Sequence, residues 1–503
     1  MSFGLFVGRA GSATAPAISS LRRASYKMPL KAKIINRGMA SEFRKSYAHL
    51  IREEIKELPG DDPEDVHFNT LYGLRTIELN RPSSRNSLNA SMVRKIIPRL
   101  VEWERSDMAN VVVIKGAGDK ALCAGGDVVA LATQNKLGTD GQRQSIDYFG
   151  LEYKLDHYIA TYNKPFISFM DGITMGGGVG LSIHAPFRIA TERTLFAMPE
   201  TKIGFFPDVG ASFFLPKMPG ALGTYLALTG ARLKGANVFY SGIATHYLHS
   251  TSLPNLEARL AELRFRDYDS IRNRLDIIEM TIEEFATGLP PREPIRLGGE
   301  VRKAIDRCFS KATVADMMTA LEAEQGPTQA WAEETLKTLR ERSPTSLLVT
   351  LRQMREGRDL LLSEAFKKEY LMAARFMDSH DFNEGVTELL INKTNEPKWD
   401  PPTLSSAEAD GRINMFFEPP EDLPPLGLLA DRDYDDYPFK SFGVPDEKEI
   451  ELSVIQKPTT RQQLVEDWVA RKRGRQGFKK IVEEILARKT TVDEAGNAEW
   501  IYN

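Results

Sequence analysis

The stretch that decides the fold is Asp171–Gly210, DGITMGGGVGLSIHAPFRIATERTLFAMPETKIGFFPDVG. A strand over KPFISFMDG (Lys164–Gly172) leads into it, Gly176, Gly177 and Gly178 follow, and a helix is expected through VGLSIHA. FRIATERTLFAMPE (Phe187–Glu200) is a further alternation, and another helix is expected to begin near Asp208. Working outward, GLRTIELNRP (Gly73–Pro82) reads as a strand ending at a turn. SMVRKIIPRLVEWE (Ser91–Glu104) reads as a helix, and NVVVIKGAG (Asn110–Gly118) as a buried strand. Short β-branched runs that alternate with helical segments are the mark of an α/β unit, here between about Asp65 and Asn255.

Two glycine clusters fall where strands give way to loops or helices: CAGGD (Cys123–Asp127) and MGGGVG (Met175–Gly180). Glycine lets a backbone approach a ligand closely, and amides at a helix start carry positive partial charge. Two such amides converging on one point would hold an oxygen that gains negative charge in a reaction. The alternative is that these glycines only permit tight turns and close helix–sheet packing. Neither cluster has the spacing of a dinucleotide fingerprint or a Walker A loop.

Three carboxylates are candidates. Glu200 follows Pro199, and Asp208 follows Pro207, where it is placed to cap a helix starting at Val209. Glu152 lies on the helical stretch LEYKLDHYIATY, where an exposed glutamate is the default. Spacing alone does not join them into a site. With seven histidines and no HExxH or GxSxG motif, metalloprotease and α/β-hydrolase chemistries are set aside. His184 reads as a core or supporting residue.

Of the 503 residues 42% are hydrophobic and 27% charged, globular values that exclude a wholly disordered or collagen-like chain. No apolar run approaches the ~18–20 residues of a transmembrane helix, so no membrane insertion is expected. Cys123 and Cys308 cannot build a disulfide framework. The net charge of -3 conceals strong asymmetry. Residues 1–40 hold Arg9, Arg22, Arg23, Lys27, Lys31, Lys33 and Arg37 with no acid before Met39, the composition of a mitochondrial presequence or, alternatively, of a basic nucleic-acid-binding tail. Residues 401–460 are acidic and Pro-rich, with EPPEDLPPLG and DRDYDDYPF at their centre, and read as a linker or surface-wrapping arm. Residues 461–503 form a basic amphipathic tail. There Leu464, Val465 and Trp468, then Phe478, Ile481, Val482, Ile485 and Leu486, recur at helical spacing. Between them RKRGRQG (Arg471–Gly477) is either a solvated hinge or a contact with RNA phosphates.

ALCAGGDV, the Asp171–Gly210 stretch, LALTGARLKGANVFYSGIATHYL, SPTSLLVTLRQM and SHDFNEGVTELLINKTNEPKWDPP together resemble the crotonase (enoyl-CoA hydratase/isomerase) superfamily. Within it they are most similar to the 3-hydroxyisobutyryl-CoA hydrolase branch of valine breakdown, over roughly Asp65 to Pro402. The resemblance implies an α/β fold, a crotonase-like spiral of ββα units over 65–290 and a helical C-terminal region over 291–400, after a helical lead-in at 41–64. It implies an oxyanion hole from the amides of Gly126 and Gly177, catalytic Glu200 and Asp208, and substrate contacts from Glu152, Gly177, Glu200 and Asp208. Glu200 would act as nucleophile or general base on the thioester. No metal and no cofactor beyond the substrate's own CoA are expected. The second glutamate of the hydratases would fall at Gly180, which disfavours hydratase or isomerase activity. Fungal members of this branch are also constituents of the mitochondrial small ribosomal subunit. That implies a matrix location and a second role, docking to rRNA and proteins through the tail. A purely structural protein with a vestigial CoA site is the remaining alternative.

Overall fold

The computed structural model describes residues 55–266 and 268–502. The basic leader read over 1–40, and most of the lead-in read over 41–64, lie outside the described residues. The chain enters through β1 (Val66–Leu71) and β2 (Leu74–Leu79), an antiparallel pair. Helix α1 (Ala90–Arg105) follows, its first turn closed by the Asn89 side chain accepting the Met92 amide at 2.9 Å.

A repeating pattern then begins, in which one strand enters each of two sheets before a helix crosses back. β3 (Val111–Gly116) and β4 (Ala121–Cys123) precede α2 (Val128–Asn135) and α3 (Thr139–Ala160). β5 (Phe166–Met170) and β6 (Ile173–Met175) precede α4 (Gly177–Ile183). β7 (Phe187–Ala190) and β8 (Leu195–Ala197) lead to a short α5 (Ala211–Phe214), then α6 (Leu222–Thr229), β9 (Leu233–Lys234), α7 (Ala236–Tyr240) and β10 (His246–Tyr247). The larger sheet has the order β1-β2-β3-β5-β7-β10 and is parallel beyond β2; the smaller is β4-β6-β8-β9, antiparallel only at β9. This is a spiral of ββα units. FRIATERTLFA therefore supplies two strands, one to each sheet. All five residues of β5 are buried, as a parallel strand covered on both faces requires.

Beyond it come α8 (Leu253–Glu262), α9 (Ile271–Glu283), α10 (Gly299–Phe309), α11 (Val314–Glu322), α12 (Gln329–Arg340), α13 (Pro344–Glu356), α14 (Leu362–Met377), α15 (His380–Val386) and α16 (Leu404–Asp410). They bury an aromatic core in which Phe205, Phe206, Phe376 and Phe416 stack at 4.5–5.3 Å. The acidic segment lies along this body. Arg432 pairs with Glu104 at 3.0 Å, and Phe442 packs on Phe187 at 5.0 Å. Its prolines and acids form few regular elements, so it gains burial from the body rather than from itself. The chain closes with α17 (Glu447–Gln456), α18 (Arg461–Arg471), α19 (Phe478–Lys489) and the hairpin β11 (Thr490–Val492) and β12 (Ala498–Trp500). No helix among the described residues is long and apolar enough to cross a membrane.

Candidate active site

The two glycine clusters meet. A β-carbon built on Gly177 would lie 3.4 Å from the Gly126 nitrogen and would collide with Glu152 Oε1. Gly177 therefore has to be glycine for the turn and the carboxyl to share this space, and a β-carbon on Gly126 would press on the Tyr148 hydroxyl at 2.9 Å. Gly177 opens α4, so its amide has no partner within the helix. Gly125 and Gly176, with φ of +108° and +45°, turn the two loops toward each other.

Three carboxyls face this point. A β-carbon on Gly176 would stand 3.2 Å from Glu200 Oε1, so Glu200 lies against the turn that presents Gly177. Glu152 reaches the same turn from α3, and Asp208 accepts the Tyr153 hydroxyl, also from α3, at 2.8 Å. Glu152, Glu200 and Asp208 are 1%, 5% and 4% exposed, the reverse of the default for a helical glutamate. Burial pushes the Glu200 carboxyl well above the usual carboxylate range, and the charges of Asp208 and Glu152 push it further. Burial and then the charge of Asp208 raise Glu152. Asp208 is pushed up to about 7 by burial, against the pull of the Tyr153 hydroxyl. Glu152 Oε1 and Glu200 Oε2 have no hydrogen-bond partner among the described residues. Buried acids of like charge, two of them with an oxygen left unpaired, mark a candidate site for a ligand.

One expectation is corrected. Asp208 does not cap a helix at Val209: α5 begins at Ala211, after Val209 and Gly210 adopt positive φ of +54° and +88°. The amides at the start of α5 are taken instead by Glu369 of α14. Its Oε2 accepts from Gly210 at 2.7 Å and its Oε1 from Ser212 at 2.8 Å. The Asp208 side chain is thereby free to face the site. His184 is a supporting residue; its ring nitrogens meet Tyr437 and the Val209 carbonyl, and burial lowers it to about 4.

Sequence reasoning missed Asp156, Tyr153, Tyr148 and Glu369. Asp156 is fully buried, with neither oxygen hydrogen-bonded among the described residues, and is raised by burial and by the charges of Glu152 and Asp208. Its signal was present, since Asp156 stands four residues after Glu152 on one helix face. Tyr148 donates to the Leu88 carbonyl at 3.2 Å beneath Gly126. Glu369 stands 159 residues beyond Gly210 and left no local signal.

Among the described residues no group of three or more His, Cys, Asp or Glu side chains is arranged to hold a metal ion. A cleft of about 800 Å³ opens elsewhere, between the body and the C-terminal segments, lined by Lys217, Tyr240, Arg302, Tyr437, Glu447 and Arg488. None of Gly126, Glu152, Gly177, Glu200 or Asp208 borders it.

The basic run at Arg471–Gly477 divides. Arg475 turns inward to Glu283 (2.8 Å), Glu279 (3.1 Å) and the carbonyls of Phe442 and Thr245. Lys472 donates to the Ser441 carbonyl at 2.8 Å. Arg471 and Arg473 remain exposed.

Residues 74–417 match the model of the enoyl-CoA hydratase/isomerase family. The chain is 56% identical to the small ribosomal subunit protein mS47 of Neurospora crassa over 488 residues, 95% of each chain. It is 43% identical to the mitochondrial 3-hydroxyisobutyryl-CoA hydrolase of Danio rerio over 341 residues, 68% of this chain and 86% of that one. Among solved structures, a carnitinyl-CoA dehydratase from Mycobacterium thermoresistibile superposes with a TM-score of 0.63 at 37% identity, covering 72% of this chain and 98% of that one.

Proposed function

The chain belongs to the enoyl-CoA hydratase/isomerase family, and from that membership we propose that it hydrolyses the thioester of 3-hydroxyisobutyryl-CoA to 3-hydroxyisobutyrate and coenzyme A, a step of valine breakdown. The observation that carries this reading is the glycine pair Gly126–Gly177 set among three buried carboxyls, with glycine rather than an acid at position 180.

The thioester carbonyl oxygen sits between the amides of Gly126 and Gly177, each worth about 3–4 kcal/mol to the charged transition state. The charge of Asp208 opposes ionisation of Glu200, so the chemistry runs with one of the two acids ionised and the other protonated. In the ionisation state that reacts, Glu200, against the glycine turn, is the carboxylate. It acts on the carbonyl carbon directly or through a water molecule, and oxygen-18 transfer from labelled water into the enzyme separates the two routes. Asp208, steadied by Tyr153, is the acid that gives its proton to the departing thiolate. Glu152 contacts the substrate. The substrate's CoA is the only cofactor moiety this chemistry uses. Release of CoA from 3-hydroxyisobutyryl-CoA by purified protein tests the reading.

A second role is favoured by one observation. The match to mS47 spans 95% of this chain and so takes in most of the C-terminal segments, whereas that to the zebrafish hydrolase spans 68%. We infer from this a second role, as a constituent of the mitochondrial small ribosomal subunit in the matrix, docked to rRNA and proteins through the C-terminal tail. Co-sedimentation with that subunit at moderate salt, lost when residues 431–503 are deleted, is the expected result. Full-length protein remaining at the top of the gradient contradicts it.

A further inference from the structure

The family match ends at residue 417, yet the arm beyond it reaches His184, which bonds the neighbour of Asp208. His184 Nε2 lies 2.8 Å from the Val209 carbonyl, an acceptor only, so Nε2 carries the hydrogen and donates. That tautomer leaves Nδ1 as an acceptor, and the Tyr437 hydroxyl stands 2.5 Å from it. The Tyr437 ring is fixed edge-on to Phe213 at 5.0 Å. The His184 ring lies directly over Gly210, where a β-carbon would come within 2.6 Å of Nε2.

The turn so held needs holding. Val209 is β-branched and has φ of +54°, a conformation that persists only where its surroundings over-determine it. Its neighbour Asp208 takes its direction from that turn. The opposite side is fixed by Glu369, and the arm grips that support too. Tyr434 accepts the Leu362 amide and Asp433 the Ser363 amide, both at 3.0 Å, at the start of the helix that carries Glu369.

We propose that Tyr437, on an arm outside the family match, is a positioning residue for Asp208, acting through His184 and the Val209 carbonyl. This rests on the thioesterase reading above. Its consequence is that the appended segment is part of what makes the site competent, and that anything which lifts residues 433–437 from the body lowers turnover.

The test is Tyr437→Phe in the full chain, which keeps the ring against Phe213 and removes only the hydroxyl. Because the effect is one of orientation, kcat on 3-hydroxyisobutyryl-CoA falls about tenfold while KM stays within about twofold. His184→Gln lowers kcat similarly, and the double variant is no worse than His184→Gln alone, as expected of one chain of contacts. An unchanged kcat in Tyr437→Phe, or losses that multiply in the double variant, overturns the proposal. A wild-type protein without thioesterase activity overturns the functional reading itself, and with it any role for the arm in turnover.

Discussion

The carboxyl of Asp156 fills the space that a side chain at Gly180 would need: a β-carbon there would lie 2.5 Å from Asp156 Oδ2 and 2.8 Å from Val209 Cβ. Position 180 is where the resemblance would put the second acid of a hydratase, and in this chain that acid has no room. Gly180→Ala is expected to lower stability by about 1–3 kcal/mol, the range for overpacking a tight core. Part of the loss returns in an Asp156→Ala background, measured by denaturant unfolding. Equal losses in both backgrounds contradict the steric account.

The turn carrying Asp208 depends on Glu369. Glu369→Ala leaves the buried amides of Gly210 and Ser212 without acceptors, for an expected loss of about 2–4 kcal/mol. Turnover should fall further than the folded fraction does, because Asp208 loses its direction. Denaturant unfolding and kcat on the same preparation separate the two effects. Unfolding within about 0.5 kcal/mol of wild type contradicts the role given to Glu369.

The pH profile follows from the raised carboxyls. Burial raises Asp208 to about 7 from about 4 and raises Glu200 as well, so below about 7 both acids are protonated and no carboxylate is left to act. kcat/KM is expected to fall as pH drops, with its midpoint near 7. In Asp208→Asn the limb of the residual activity reports Glu200 alone and stays above the usual carboxylate range, because burial, the larger cause of its shift, remains. A midpoint near 4 in the wild type contradicts the pairing.

Much of this was legible in the chain. Strand and helix alternation from Gly73 to Glu200 marked an α/β unit because each run has a clear period, the spiral arrangement came from the resemblance, and the glycine clusters marked the turns that approach each other. Asp208 misled. Pro-Asp before an apolar run is a capping signal, but the capping acceptor comes from Glu369, 161 residues along the chain, and the positive φ of Val209 has no local cause in the sequence. Asp156 was passed over although its spacing from Glu152 was visible. An acid on a helix is exposed by default, and only the packing of α3 against α4 buries it.

The split of the basic run makes a separate prediction. Arg475→Ala removes the ion-pair partner of Glu279 and leaves Glu283 with His246 alone, the two carboxylates keeping 23% and 25% of their exposure. The expected loss is therefore about 2–3 kcal/mol, less than for a fully buried pair, with faster proteolysis near Gly474. Arg471→Glu with Arg473→Glu, both exposed, should leave stability within about 0.5 kcal/mol. The same pair should weaken co-sedimentation with the ribosomal subunit as salt is raised.

The central claim is thioester hydrolysis at Glu200, and steady-state release of CoA from 3-hydroxyisobutyryl-CoA by the wild-type chain and by Glu200→Gln tests it most directly. Turnover in the wild type, and loss of about a thousandfold or more in kcat with CoA binding retained in the variant, is the predicted result. A variant that turns over as fast as the wild type would contradict it.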